Sequence, residues 1–205
     1  MSPDLSLYLV TDTRLCGERG VPATVAAAIE GGATVVQLRD PEASGRELYE
    51  AALAVRQVLG DVPLIVNDRL DVALAAGADG VHLGQSDLPV ARAREIAGPD
   101  FLIGWSAATE AEIGYAEALA PGTIDYLGIG PIFATATKPD AGEALGADRV
   151  AELAARTALP TVAIGGISTD NAGQITGVDG ICVVSAICAA PDPRAAASEL
   201  RKAMT

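Results

Sequence analysis

Short apolar runs punctuate this chain, and each ends in a glycine or a polar residue. They span Leu5–Thr11, Val35–Asp40, Pro63–Asp68, Gly80–Gly84, Leu102–Ser106, Tyr126–Gly130, Thr161–Gly166 and Gly180–Ser185. Continuous rather than alternating hydrophobicity predicts strands covered on both faces, as in a parallel sheet. Alanine-rich stretches separate most of the runs and carry helix boundaries. Ser44 with Glu47 and Thr109 with Glu112 have capping-box spacing, and Asp192-Pro193 pairs a cap with a proline at the first helical position. Gly31-Gly32, Gly60 and Gly77 stand where helices are expected to stop. Eight such strands in a chain this short predict an α/β fold, a compact (β/α)8 TIM barrel, occupying residues 1–205 as one domain. No Gly-x-Gly-x-x-Gly follows the first run, which disfavours a doubly wound dinucleotide-binding sheet.

Composition narrows the core and the partners. Half of the 205 residues are apolar but only 3% are aromatic, so the core must be assembled from Ala, Val, Leu and Ile. The net charge of −13 argues against nucleic acid, whose phosphates call for clustered Lys and Arg. A few inward cations can still build a local positive site for a small anion. The longest apolar stretches fall far short of a membrane span and no signal peptide is evident, so no membrane partner is expected. Three sparse cysteines (Cys16, Cys182, Cys188) lack metal-ligand spacing and fit a reducing cytoplasm.

In a barrel of this kind the chemistry collects at the carboxyl ends of the strands. Polar groups stand at those places: Gln37 to Asp40, Asn67-Asp68, Gly84 to Asp87, Ser106, Thr135 to Lys138, Gly165-Gly166 and Ser185. Period-2 alternation aims Gln37 and Arg39 into the barrel mouth. Arg39 either serves a ligand or neutralises a carboxylate such as Asp68. Asp68 and Asp87, with amide oxygens nearby, suit a hard cation such as Mg²⁺; capping of the next helix is the alternative for Asp87. Gly165-Gly166-Ile167-Ser168 and Ser185-Ala186-Ile187 follow the seventh and eighth strands, where barrels often cradle a phosphate, although Gly-Gly also makes a simple tight turn. His82, the single histidine, is either a satisfied interior residue or a general base. Trp105 is expected to pack at the rim.

Five motifs, taken together, carry a resemblance: Val36-Gln-Leu-Arg-Asp40, Asn67-Asp-Arg-Leu-Asp-Val-Ala-Leu74, Gly80-Val-His-Leu-Gly-Gln85, Gly128-Ile-Gly-Pro-Ile-Phe-Ala-Thr-Ala-Thr-Lys138 and Ala163-Ile-Gly-Gly-Ile167. With them the chain resembles the thiamine-phosphate synthase family over nearly its whole length. The resemblance implies a cytoplasmic, Mg²⁺-dependent transferase that joins a pyrimidine methyl diphosphate to a thiazole phosphate and releases pyrophosphate, by way of a pyrimidine carbocation. It also implies that Gln37, Arg39, Asn67, Ser106 and Lys138 hold the pyrimidine diphosphate, with Arg39, Ser106 and Lys138 serving catalysis. Asp68 and Asp87 would bind Mg²⁺, and Thr135, Thr137, Gly166, Val184 and Ser185 would hold the thiazole phosphate. Self-association into a homo-oligomer is left open. Two positions depart from the family pattern: Pro41 stands where a lysine is usual, and Ala108 where a histidine is frequent. The alternatives are an isomerase of the related thiazole tautomerase kind and a non-catalytic regulatory protein that binds the precursors.

Overall fold

Alternating side chains along short strands sort the apolar residues into two populations, and the barrel follows from giving each its own space. The computed structural model describes residues 3–135, 137 and 142–204. Among them the strands are β1 (Leu7–Val10), β2 (Val35–Leu38), β3 (Leu64–Asn67), β4 (Gly80–Leu83), β5 (Leu102–Ala107), β6 (Tyr126–Ile129), β7 (Thr161–Ile164) and β8 (Gly180–Val183). They pair in parallel in chain order, and β1 pairs with both β2 and β8, closing the barrel. Tyr8, Val10, Val35, Ile65, Tyr126, Val162 and Cys182 point inward and fill the interior with Leu5. Their alternates, among them Leu7, Leu9, Val36, Leu38, Val66, Leu83, Ile103, Leu127 and Val183, face the helices in one large cluster. Full burial of one such side chain is worth about 1.5–3 kcal/mol, so the outer layer carries most of the stability.

Helices cover that outer layer: α1 (Thr13–Cys16), α2 (Val21–Glu30), α3 (Gly45–Arg56), α4 (Leu70–Ala76), α5 (Val90–Ala97), α6 (Glu110–Ala118), α7 (Ala147–Ala154), α8 (Ser185–Cys188) and α9 (Pro193–Ala203). Both capping boxes form, at Ser44 and Thr109, and Asp192 caps α9 by accepting from the Ala195 N–H at 3.0 Å. Gly31 and Gly77 end α2 and α4. Helix α3 stops sooner than Gly60 suggests, with Gln57 as its last cap. After β7 the chain makes only a 3₁₀ turn over Ala172–Gln174. Trp105 faces outward and tilts against Tyr115 of α6, ring centroids 5.2 Å apart. Among the described residues no helix is long and apolar enough to cross a membrane.

The amino-terminal end of the barrel is pinned by a repeated device. The residue just before each even strand β2, β4, β6 and β8 is Thr34, Asp79, Asp125 or Asp179. Its N–H donates to a carbonyl on the preceding odd strand, at Leu7, Leu64, Ile103 and Thr161 respectively. Its side-chain oxygen accepts the N–H of that same residue at 3.1, 2.8, 2.7 and 2.7 Å. These bonds satisfy strand-start donors and hold the odd strands in register far from the other rim.

Candidate active site

A parallel barrel brings all strand ends to one rim, so the polar residues at those ends share it by topology. Gln37, the last inward residue of β2, is buried and donates from Nε2 to the Tyr8 hydroxyl at 2.8 Å. The Tyr8 and Tyr126 hydroxyls lie 2.7 Å apart. Tyr126 meets His82 Nδ1 at 3.1 Å, and His82 Nε2 meets Ser106 Oγ at 2.9 Å. Glycine on neighbouring strands makes the room: a Cβ on Gly104 would come within 2.5 Å of His82 Nδ1, and one on Gly128 within 3.2 Å of its Cε1. Burial pushes both phenols well above their ordinary pKa, helped by the neighbouring Cys182 thiol at Tyr8 and by Tyr8 itself at Tyr126. His82 is therefore an interior histidine bonded at both nitrogens. Tyr8 and Tyr126 escaped the sequence reading because inward tyrosines on apolar strands read as core. Their signal was a hydroxyl on each of two strands in a chain nearly free of aromatics.

The acidic residues gather at the end of β4. Asn67 closes β3 opposite His82 in the ladder. Asp68 follows in a left-handed conformation, φ 61°, and its N–H donates to the His82 carbonyl at 2.9 Å. Asp87 accepts the Gly84 N–H on Oδ2 at 2.7 Å, so it closes the loop after β4 and does not cap α5, whose N-cap is Pro89. Asp87 through its carboxylate and Asp68 through its backbone N–H are thereby tied to backbone groups two residues apart at the end of β4. Among the described residues no group of three or more His, Cys, Asp or Glu could hold a metal alone. Two carboxylates with an amide nearby match the sparse oxygen set with which Mg²⁺ is commonly held beside substrate phosphates.

Arg39 lies just beyond β2, where its N–H donates to Thr11 Oγ1 at 3.1 Å. Among the described residues its guanidinium is in none of the ion pairs that join Arg14, Arg69, Arg92, Arg94, Arg149, Arg156, Arg194 and Arg201 to carboxylates. It lines a cleft of about 310 Å³ together with Asp12, Thr13, Asp40, Pro41 and Glu47. Thr13 Oγ1 donates to Asp40 at 2.7 Å and ties the first loop to the second. Pro41 is exposed on this cleft.

Opposite these groups, the loops after β6 and β7 interlock. Gly130-Pro131 is cis, the Ile132 N–H donates to the Ile164 carbonyl at 2.8 Å, and the Phe133 N–H donates to Gly165 at 3.0 Å. Gly165 and Gly166 have φ of 105° and 66°, and a Cβ on Gly165 would fall 2.6 Å from Pro131 Cβ. The Gly-Gly pair is thus both a turn and a close approach. Asn171 Nδ2 donates to the Gly166 carbonyl at 2.9 Å and fixes the loop. Thr135 Oγ1 accepts the Thr137 N–H at 3.3 Å. Val184 is the N-cap of α8 and Ser185 its first residue. Lys138 lies outside the described residues.

Comparison with known proteins adds an independent finding. Residues 7–187 match the family model described as thiamine monophosphate synthase. The thiamine-phosphate synthase of Azorhizobium caulinodans is 54% identical over 202 residues, covering 97% of this chain and 94% of the relative. That of Laribacter hongkongensis is 52% identical, covering 96% and 94%. The solved thiamine phosphate pyrophosphorylase from Pyrococcus furiosus superposes with a TM-score of 0.88 at 43% identity, covering 98% of this chain and 96% of that one. A 3-hexulose-6-phosphate synthase structure has a TM-score of 0.72 at 18% identity, which speaks for the barrel alone.

Proposed function

The chain belongs to the thiamine monophosphate synthase family, and from that premise we propose how its rim performs the condensation of a pyrimidine and a thiazole moiety into thiamine monophosphate. One observation supports the reading above the others. The amide, guanidinium and carboxylates of β2 to β4 and the glycine and hydroxyl loops of β6 to β8 share one end of a closed barrel. Two anionic substrates can therefore be held face to face.

In this reading the bond between the pyrimidine methylene carbon and the diphosphate oxygen breaks, and its electron pair leaves with pyrophosphate. The electron-rich aminopyrimidine delocalises the resulting cation. The thiazole nitrogen lone pair then forms the new C–N bond. No acid–base pair is required; what counts is stabilising the leaving charge and aligning the nucleophile. Arg39 and Lys138 would face the diphosphate, with Gln37, Asn67 and Ser106 orienting the ring. Asp68 and Asp87 would hold Mg²⁺, whose positive charge neutralises a departing phosphate. Thr135, Thr137, Gly166, Val184 and Ser185 would anchor the thiazole through its remote phosphate. Pro41 removes one cation from this set, which lowers the rate without changing the pathway. The free thiols of Cys16, Cys182 and Cys188 fit a cytoplasmic setting.

The test is incubation of the purified protein with both precursors, with Mg²⁺ and after chelation. Equal amounts of thiamine monophosphate and pyrophosphate are expected, with at least a tenfold loss on chelation. Binding of both precursors without product under either condition would replace the enzyme by a regulatory binding protein.

A further inference from the structure

Five side chains from five strands form one continuous hydrogen-bonded chain across the barrel: Gln37, Tyr8, Tyr126, His82 and Ser106. Its middle members have little freedom in how they share protons. Each phenol carries a single O–H, and an uncharged imidazole a single N–H. Burial keeps both phenols protonated. A chain of such groups runs in one sense from end to end, and its first donor sets that sense.

That donor is Gln37 Nε2, which can only give, 2.8 Å from the Tyr8 oxygen. Tyr8 then gives its proton to Tyr126, and Tyr126 gives to His82 Nδ1. The imidazole proton is left on Nε2, directed to Ser106 Oγ at 2.9 Å. Gln37 Oε1, the second Gln37 N–H and the Ser106 O–H remain, and none of them has another partner among the described residues. The amide thus keeps its acceptor on β2 and the serine a donor on β5 of the same rim.

We propose that Tyr8, Tyr126 and His82 are positioning residues whose proton order fixes an acceptor at Gln37 and a donor at Ser106. The barrel floor is thereby selective for a heteroaromatic ring that offers an amine to one side and an unprotonated ring nitrogen to the other. A ring with a carbonyl in place of the amine meets Gln37 Oε1 oxygen to oxygen and binds more weakly. This rests on the reading that the pyrimidine binds at Gln37 and Ser106. Were the amide reversed, every bond in the chain would reverse, and Ser106 would present an acceptor instead.

His82 is the only histidine, so ¹⁵N-histidine labelling gives the resonances of one imidazole. In the ligand-free wild-type protein at neutral pH, Nε2 should be protonated and Nδ1 not. The opposite tautomer, or protonation of both nitrogens, overturns the proposal. That result needs no turnover, so it is separate from success or failure of the synthase assay. The second arm is Tyr126→Phe, which removes the donor to Nδ1 and keeps the ring. The fixed tautomer should be lost, KM for the aminopyrimidine diphosphate should rise roughly tenfold, and discrimination against the carbonyl analogue should fall by a similar factor. KM for the thiazole phosphate should rise less. An unchanged tautomer with unchanged discrimination overturns the proposal as surely as the wrong tautomer. If the variant does not fold, the wild-type spectrum still decides.

Discussion

Asp68 is the one described non-glycine residue with positive φ, at 61°, and it stands at the carboxyl end of a strand. A left-handed backbone costs an ordinary side chain about 1–2 kcal/mol and Asp or Asn somewhat less, so the carboxylate is retained at a cost in stability. Two substitutions separate the backbone from the charge. Asp68→Gly removes the backbone strain and the carboxylate together. Asp68→Asn keeps a residue that tolerates this conformation and should leave stability near wild type. Both should lower the condensation rate at least tenfold if the carboxylate holds Mg²⁺ as proposed, because each removes its oxygen charge. Denaturant melts and initial rates measure the two effects on the same samples. Wild-type rates in the Asn variant would remove the carboxylate from the chemistry.

At the scale of strands and helices, stability and chemistry lie at opposite ends of the barrel. Asp79 and Asp179 each satisfy a strand-start N–H at the amino-terminal end. Replacing either by Ala should lower stability by about 1–3 kcal/mol and leave kcat/KM unchanged. Asp125 should cost more, roughly 3–5 kcal/mol, because it also receives Arg94 at 2.7 Å, a guanidinium only 14% exposed. A loss of activity beyond the loss of folded protein would mean that the two ends are coupled. This device was hidden in the sequence, where an acid before an apolar run looks like any turn residue and its partner lies 15 to 22 residues away. The strands themselves were legible from apolar runs, although the runs overreach their ends because polar residues such as Arg39 continue the pattern past the last ladder bond. Helix starts were legible where a side chain caps them, at Ser44, Thr109 and Asp192. The end of α3 was not, since no left-handed glycine closes it, and the stretch after β7 carries too little helix-forming sequence for more than a 3₁₀ turn. At the rim the sequence located polar strand ends. It did not reveal the Tyr8–Tyr126 contact, which joins residues 118 apart.

The whole molecule carries a net charge of −13, yet its buried hydrogen-bonded floor is made of amide, phenol, imidazole and serine groups. That division predicts how the fold responds to alkali. The ordinary phenol value is 10.0, and burial raises Tyr8 and Tyr126 above it in the native state. Above pH 10 the unfolded chain therefore loses protons that the native protein keeps. Fewer protons on the unfolded state means that stability falls as pH rises. The stabilisation is fully present below the ordinary phenol value and is lost on the way up to the native one. Each phenol contributes about 1.4 kcal/mol per pH unit in that window, and the pair about 2.7 kcal/mol. Unfolding free energies measured in steps from about pH 9 to about pH 11 should bend downward near the phenol value. Tyr8→Phe should remove one phenol's share of the added slope and a double Phe variant both shares, leaving the slope of the Cys182 thiol, which burial also holds above its ordinary value. A wild-type curve that stays flat through this range would mean that the interior admits water enough to ionise the phenols, and the proton order drawn through them would fail with it.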